Sequence, residues 1–245
     1  WELAEQMRRQ AASYGVTIAY GDVVGIKQHT DTFTVKTSDT EYPCKTVIIA
    51  NGVKRRQLLC PGEEAFTGKG VSWCAVCDGN FFRNKTVAVV GGGNSAAEDA
   101  LYLAALCEKV YLVHRRTEFR ADKKLLSAVG QNEKIEIKAP YAVREIQGEQ
   151  SVNSIILQHT ADGSDTVLQV DGVFESIGLM PDNQMFASLI QLDAQGYVAS
   201  GEDCHTNIPG IFAAGDTRTK GLRQVVTATA DGAVAAKAAF DFIHQ

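Results

Sequence analysis

Residues 85–116 read KTVAVVGGGNSAAEDALYLAALCEKVYLVHRR, and this stretch decides the fold. An apolar run is followed by three glycines, then by an alanine-rich run, and then by a second apolar run. This order predicts a β-strand, a glycine turn, a helix and a second strand. Because the two strands of such a unit lie parallel in one sheet, the sequence indicates an α/β fold.

Two other segments follow one pattern, which indicates a coarse internal repeat. Residues 33–52 read FTVKTSDTEYPCKTVIIANG, and residues 155–178 read IILQHTADGSDTVLQVDGVFESIG. Each runs strand, polar turn, strand, apolar strand and glycine, and each would close a nucleotide-binding domain. The second copy has its opening strand–helix–strand unit at residues 86–113. The first copy has no such opening in this sequence, and we expect that unit to lie before Trp1.

The remaining segments predict the elements around these two copies. They are an opening helix at residues 1–15, short strands at 16–28, a connector at 53–70, a short helix at 123–130, a loop with a short helix at 180–200, a buried strand at 208–216 and a long final helix at about 225–242.

The composition is that of a globular protein with a sizeable core. Of 245 residues, 45% are apolar and 22% are charged. The formal net charge of −5 argues against a nucleic-acid partner, and no apolar run approaches the roughly 20 residues that cross a membrane. The first residues contain no secretory signal, and six cysteines are too few for a disulfide scaffold. We therefore expect a cytoplasmic protein.

The glycine turn matches the pattern G-x-G-x-x-A at Gly91, Gly93 and Ala96. It follows an apolar strand and opens a helix, which is the context that a dinucleotide-binding turn requires. Backbone N–H groups and the helix N-terminus would bind a pyrophosphate there, with Asn94 and Ser95 in the same turn. The alternative is a glycine turn that serves only tight packing of the strand on the helix.

Basic residues follow the second strand, where an acid would indicate NAD. The sequence has His114, Arg115, Arg116 and Arg120 at this edge. Because guanidinium groups bind phosphate through two parallel hydrogen bonds, these residues favour NADPH and its 2′-phosphate. A solvated basic patch is the alternative.

The segment SWCAVCDGN contains a C-x-x-C pair, Cys74 and Cys77, followed by Asp78. A zinc site would need two further ligands, and there is no second C-x-x-C, so no metal is expected. An inert buried pair is a second alternative. A redox dithiol is favoured, because a thiol at a helix start is stabilised as thiolate and the pair can close and reopen by exchange. Asp78 would supply or accept a proton, or would serve as a helix-start or turn residue.

A nicotinamide site and a redox dithiol in one chain imply a cofactor that transfers electrons between them. Hydride transfer needs a carbon or nitrogen acceptor, whereas disulfide cleavage needs attack on sulfur, and a flavin joins the two steps. At this point the whole chain resembles the low-molecular-weight thioredoxin reductases of bacteria. The resemblance rests on CAVCDG (74–79), GGGNSAAE (91–98), HRRTEFRA (114–121), GIFAAGD (210–216) and RQVVTATADG (223–232).

The resemblance implies an α/β fold with two Rossmann-like three-layer domains. The NADPH-binding domain, residues 55–178, would carry the C-x-x-C and would be inserted into an FAD-binding domain formed by residues 1–54 and 179–245. In this sequence the FAD-binding domain lacks its N-terminal βαβ unit, so we expect this truncated chain to bind FAD poorly and to be inactive. The flavin contacts implied by the resemblance are Gly215, Asp216, Arg223, Gln224 and Val225.

The resemblance also implies the reaction. Electrons would pass from NADPH through FAD and the Cys74–Cys77 dithiol to thioredoxin, in a homodimeric enzyme. Cys77 would face the flavin, Asp78 would donate the proton, and Cys74 would attack the substrate and be the more accessible thiol. Two alternatives are the flavoprotein reductase of a peroxiredoxin (alkyl hydroperoxide reductase) system and a non-catalytic NADPH-binding module.

Overall fold

The protein, described by a computed structural model over residues 2–244, forms two compact units. Unit 1 combines the chain up to Lys54 with the chain from Met180 onward, and unit 2 is the contiguous segment Arg55–Leu179. The predicted place of Trp1 in the opening helix lies outside the described residues.

The elements are as follows. The strands are β1 (Val23–Gln28), β2 (Phe33–Thr37), β3 (Glu41–Cys44), β4 (Val47–Ile49), β5 (Val53–Arg55), β6 (Val71–Ser72), β7 (Thr86–Val90), β8 (Lys109–Val113), β9 (Ile135–Lys138), β10 (Tyr141–Gly148), β11 (Val152–His159), β12 (Asp165–Gln169), β13 (Gly172–Glu175), β14 (Leu179–Pro181) and β15 (Ile211–Ala213). The helices are α1 (Glu2–Ser13), α2 (Ala75–Asp78), α3 (Asn94–Ala104), α4 (Lys123–Gln131) and α5 (Val225–Ile243), with 3₁₀ turns at Gly79–Phe82, Gln184–Phe186 and Gly215–Thr217.

Unit 2 is built on a parallel sheet with the strand order β6, β13, β7, β8, β9. Strands β7 and β8 pair in parallel with Val87 opposite Val110, and α3 connects them, so the predicted strand–helix–strand unit is confirmed. Helices α2, α3 and α4 pack on one face of the sheet, and the antiparallel sheet β10–β11–β12 packs on the other. The three layers confirm the predicted α/β, Rossmann-like fold.

Small side chains let α3 lie close to this sheet. Its buried residues are Ala96, Ala97, Ala100, Leu103 and Ala104, and their spacing places them on one helix face. This close packing fixes the start of α3 directly behind the glycine turn.

Unit 1 contains an antiparallel sheet, β1–β2–β3, and a parallel pair formed by β4 and β15. Helix α5 packs on β15, where Ala235 and Ala239 contact Phe212 and Ala214. The predicted repeat is present, since β2, β3 and β4 in unit 1 follow the same succession as β11, β12 and β13 in unit 2.

Two sequence expectations differ from the structure. Strand β1 begins at Val23, whereas residues 16–22 form no strand, because all of them are exposed and no alternating face is buried. The short helix expected in residues 180–200 is the 3₁₀ turn Gln184–Phe186, and the buried Asn183 before it donates to the carbonyls of Gly196 and Thr217. Within residues 2–244, no helix has the length and apolar character to cross a membrane.

Candidate active site

Cys74, directly before α2, and Cys77, within α2, form a disulfide with their Cα atoms 5.2 Å apart. Cys74 is the N-cap of α2, and its Sγ accepts the N–H of Cys77 at 3.1 Å. The C-x-x-C spacing places the two sulfurs together because a single helical turn separates them. The predicted pairing of the two cysteines is thus present in unit 2.

The helix behind the disulfide is short, and its exposure pattern corrects one expectation. Helix α2 is one turn long and continues as a 3₁₀ turn, so its dipole acts only weakly on Cys74. Cys77 is exposed and Cys74 is half-buried, whereas we expected Cys74 to be the more accessible thiol.

Asp78 is held beside the disulfide by Ser72, the last residue of β6. The Ser72 hydroxyl donates to Asp78 Oδ2 at 2.6 Å and accepts the N–H of Cys74 at 3.1 Å. Ser72 is buried and therefore joins the carboxylate to the turn that holds the first cysteine. Sequence reasoning missed this serine, although its place two residues before a C-x-x-C is the signal that identifies it.

The three glycines after β7 have different reasons to be glycine. A Cβ on Gly91 would lie 2.3 Å from the carbonyl oxygen of Ser176, and a Cβ on Gly92 would lie 2.3 Å from the ring of His114. Packing therefore accounts for these two positions. Gly93 has nothing within 4 Å of the corresponding position, so its lack of a side chain leaves open space at the start of α3.

A cavity of about 410 Å³ opens beside this turn. Its lining includes Gly91, Gly93, Ser95, His114, Arg115, Arg120, Tyr141 and Ser176. The structure therefore brings together most of the residues predicted to bind the dinucleotide. The volume of the cavity is that of a small-molecule site.

Three of the predicted dinucleotide residues lie outside this lining. Arg116 is exposed after β8. Asn94 binds Asp122 instead, since its amide donates to Asp122 Oδ2 and accepts the backbone N–H of Asp122, both at 2.8 Å. Ala96 is fully buried behind Gly91. Asn94 and Ala96 therefore shape the turn without reaching the cavity.

The arginine loop after β8 is tied to the glycine turn. The backbone N–H of Arg120 donates to the carbonyl of Gly92 at 2.7 Å. His114 is buried, lies 3.2 Å from the carbonyl oxygen of Glu118 through Nε2, and contacts the ring of Phe119. Burial, reinforced by the nearby arginines, lowers the pKa of His114. A neutral His114 thus holds the loop in place.

The three arginines keep their charge available for a ligand. Arg115, Arg116 and Arg120 are exposed, and none forms an ion pair with a residue of the described chain. Uncompensated guanidinium groups at the rim of a cavity attract an anion.

The residues predicted to contact a flavin lie in unit 1, around the start of α5. Gly215 has φ +77°, which favours glycine, and follows β15. Asp216 Oδ1 is buried and has no hydrogen-bond partner among residues 2–244. Arg223 Nε donates to the carbonyl of Asp216 at 3.4 Å, Gln224 caps α5, and Val225 begins it with an exposed side chain.

A buried ion cluster holds the Gly215 turn, and sequence reasoning missed it. Asp231, on α5, accepts the N–H of Gly215 at 2.9 Å. It also accepts hydrogen bonds from Nη2 of Arg218 and from Nζ of Lys220, both at 2.7 Å. Hydrogen bonding to Arg218, against the opposing effect of burial, holds the pKa of Asp231 well below its usual range. The cluster therefore fixes the backbone that presents Asp216.

Comparison with known proteins identifies the family of this chain. The sequence profile of the pyridine nucleotide-disulphide oxidoreductases matches residues 2–232. The thioredoxin reductase of Listeria innocua is 42% identical over 245 residues, which covers 100% of this chain and 77% of that protein. The thioredoxin reductase of Treponema pallidum is 40% identical, with 99% of this chain and 79% of that protein covered.

Solved structures give the same result. The crystal structure of thioredoxin reductase from Streptococcus pyogenes matches with a TM-score of 0.95 and 41% identity, covering 99% of this chain and 80% of that one. At this identity and coverage the likeness extends to the family and is not limited to the fold. The chain is an oxidoreductase that belongs to the pyridine nucleotide-disulphide oxidoreductases and, among them, to the thioredoxin reductase family.

Proposed function

We propose that this protein passes electrons from NADPH through FAD and the Cys74–Cys77 disulfide to a thioredoxin. The observation that carries the proposal is the disulfide itself, closed in a half-exposed turn with the Asp78 carboxylate beside it. A structural disulfide would be expected to staple distant parts of a chain, whereas this one joins residues one helical turn apart.

The choice of NADPH rests on the cavity in unit 2. Gly93 leaves open space at the start of α3, where the pyrophosphate would bind the turn N–H groups. Arg115 and Arg120 line the same cavity without ion-pair partners in the described chain and would bind the 2′-phosphate. Arg116 would contribute from outside the lining.

The choice of FAD rests on unit 1. The buried, unpartnered Oδ1 of Asp216 is an acceptor that needs a donor, and a hydroxyl of the flavin's ribityl chain would supply one. Gly215, Arg223, Gln224 and Val225 would hold the same group.

Gly215, Asp216, Arg223, Gln224 and Val225 would hold FAD, which would supply the link between a hydride donor and a disulfide. Two electrons and two protons open the Cys74–Cys77 bond to two thiols. Cys77 would be the sulfur that receives the electron pair, and Asp78 would hold or take up a proton as the thiols change state. Cys74 would then attack the substrate disulfide as a thiolate, and Cys77 would release the reduced substrate by closing the disulfide again.

A homodimer and a cytoplasmic location, both of which the resemblance or the composition implies, stay predictions. So do the functional names of the two domains: unit 2 as the NADPH-binding domain and unit 1 as the FAD-binding domain.

The test is a reduction assay on the full-length protein with FAD. We expect thioredoxin-dependent NADPH oxidation that Cys74→Ser and Cys77→Ser each abolish, while Cys107→Ser, at a buried free cysteine, retains it. A peroxiredoxin with hydroperoxide as the acceptor tests the first alternative. NADPH binding without turnover on either acceptor would favour the non-catalytic module and contradict the proposal.

A further inference from the structure

Two buried carboxyl side chains in unit 2, Glu63 and Glu175, have no place in the reaction described above. Glu63 is 5% exposed and Glu175 is 4% exposed. Glu175 ends β13, and Glu63 lies in the turns before β6. Carboxyl groups are seldom buried this deeply unless a partner or a proton neutralises them. The pair therefore needs a physical account.

The hydrogen bonds of Glu63 satisfy both of its carboxyl oxygens. Its Oε1 accepts the backbone N–H of Leu58 at 3.1 Å, and its Oε2 accepts the backbone N–H of Leu59 at 2.6 Å. Backbone donors on both oxygens stabilise a carboxylate. Glu63 thus has a backbone donor for each of its side-chain oxygens.

Glu175 has the opposite environment. Its Oε2 accepts the indole N–H of Trp73 at 2.9 Å, but its Oε1 is buried without a donor in the described chain. A proton on Oε1 would turn this oxygen into a donor, and the carboxylate of Glu63 is the neighbouring acceptor. Burial, followed by the charge of Glu63, raises the pKa of Glu175 to about 8.

Within residues 2–244, the interactions that shift the pKa of Glu175 include no cation. Cys60 lies beside them, and burial together with the charges of Glu63 and Glu175 raises its pKa to about 11, so it is a neutral thiol. Glu145 on β10 adds a further negative charge near Cys60. Neither group supplies a positive charge that would stabilise an ionised Glu175.

Two further charged residues, Arg55 and Asp99, contact residues next to this carboxyl. The guanidinium of Arg55 stacks on the Trp73 ring, with Cζ 4.8 Å from the centroid. Asp99 lies on the opposite face of the sheet, where it binds the hydroxyl of Ser176. Trp73 is therefore fixed by two contacts, a hydrogen bond to Glu175 and a stacked Arg55.

We propose that Glu175 is protonated and donates a hydrogen bond to Glu63. This neutral carboxyl group positions Trp73 and thereby Cys74, the next residue along the chain. Glu175 is then a positioning residue for the dithiol. When Glu175 loses its proton, two adjacent carboxylates repel each other and the indole contact shifts, so the attacking sulfur is held less firmly. The inference rests on the proposed function only in assigning the attack to Cys74.

Infrared spectroscopy of the full-length holoenzyme tests the proton directly. The C=O band of a protonated carboxylic acid should be present at neutral pH and should disappear as the pH rises through about 8. Glu175→Gln should remove this band, and Glu149→Gln, at an exposed glutamate of the same unit, should leave it. Should Glu175→Gln fail to fold, Glu63→Gln is the second variant. We expect it to lower the pH at which half of the infrared band is lost by roughly one unit or more.

The alkylation rate of Cys74 in the reduced enzyme, measured against pH, tests the coupling to the dithiol. In the wild type, the alkylation rate should change once as the Cys74 thiol loses its proton. It should change a second time at the pH where the infrared band is half lost. Glu175→Gln, whose amide keeps both hydrogen bonds but does not titrate, should lose only the second transition. Absence of the band at neutral pH, or identical profiles for the two proteins, would overturn the proposal. A protein with the band and both transitions that fails to reduce thioredoxin would contradict the proposed function alone.

Discussion

Three arginine side chains in unit 2 have positive charges that are free to bind a ligand phosphate. Arg115, Arg116 and Arg120 have no ion-pair partner in the described chain, whereas the exposed Arg144 of the same unit is bound to Asp165. A guanidinium already paired within the protein offers less to a ligand phosphate than one that is free. The free arginines therefore carry the nucleotide selectivity that we propose.

Replacing Arg115 or Arg120 by alanine should weaken NADPH binding by about 1.5–3 kcal/mol, the range for hydrogen bonds to charged groups, and should leave NADH binding almost unchanged. Arg116→Ala should have a smaller effect, because Arg116 does not line the cavity. Calorimetric titration with both nucleotides measures this, and Arg144→Ala is the control. Equal affinities of the wild type for NADPH and NADH would contradict the assignment.

Ser72 is the residue that joins Asp78 to the cysteine turn. Ser72→Ala should lower the free energy of unfolding of the oxidised protein by about 1–3 kcal/mol, because it leaves two polar groups without their partner. Chemical denaturation measures the change. Ser164→Ala is the matched control, since Ser164 also donates to an aspartate at 2.6 Å but is exposed, and it should change stability by no more than about 0.5 kcal/mol. Equal effects of the two variants would argue against the role of Ser72.

The element that matters most for nucleotide binding is the turn between β7 and α3. Its glycines divide between packing, at Gly91 and Gly92, and open space at Gly93. The same element explains why the turn and the arginine loop form one site, since the Gly92 carbonyl accepts the N–H of Arg120.

Gly92→Ala and Gly93→Ala should therefore separate folding from binding. Gly92→Ala places a Cβ 2.3 Å from the His114 ring, so it should destabilise the protein by about 1–3 kcal/mol, as overpacked sites do. Gly93→Ala should leave stability nearly unchanged and should weaken NADPH binding, because the methyl group occupies the space beside the turn. Thermal denaturation and nucleotide titration of both variants check this. Loss of stability in Gly93→Ala with normal binding would reverse the interpretation.

At the scale of the whole molecule, each unit contains a buried acid with a shifted pKa. In unit 1, hydrogen bonding to Arg218 lowers the pKa of Asp231, so its contribution is present at neutral pH and is lost as the pH falls below its ordinary value of 3.8. In unit 2, burial raises the pKa of Glu175 from 4.5 to about 8. The folded protein then binds a proton that the unfolded chain releases, so stability declines as the pH rises between these two values.

Glu175→Gln should remove the decline in the free energy of unfolding between about pH 4.5 and about pH 8. It should leave the loss of stability at more acidic pH unchanged. Asp231→Asn should act on the acid limb and should also lower stability at neutral pH, since Arg218 and Lys220 lose their buried counter-charge. Denaturant midpoints measured across the pH range give both effects. A neutral-range slope that persists in Glu175→Gln would show that another group is responsible.

The sequence predicts the features that depend on neighbours along the chain. The strand–helix–strand unit, the cysteine turn and the arginine loop are all visible as local patterns, and the structure contains each of them. The contacts between Trp73 and Glu175, and between Gly215 and Asp231, join residues 102 and 16 positions apart, so no local pattern marks them. The relative exposure of Cys74 and Cys77 differs from the prediction for a similar reason, because no local pattern shows which of the two residues the surrounding fold covers.

The most direct test of the central claim is whether NADPH opens the Cys74–Cys77 disulfide. The full-length enzyme with FAD is treated with NADPH or with NADH in the absence of thioredoxin, and the free thiols are then alkylated and located by mass spectrometry. We predict that NADPH makes Cys74 and Cys77 reactive while NADH at the same concentration does so far less, with no change at Cys44, Cys60, Cys107 or Cys204. A disulfide that stays closed under NADPH, in a sample where dithiothreitol opens it, would contradict the account.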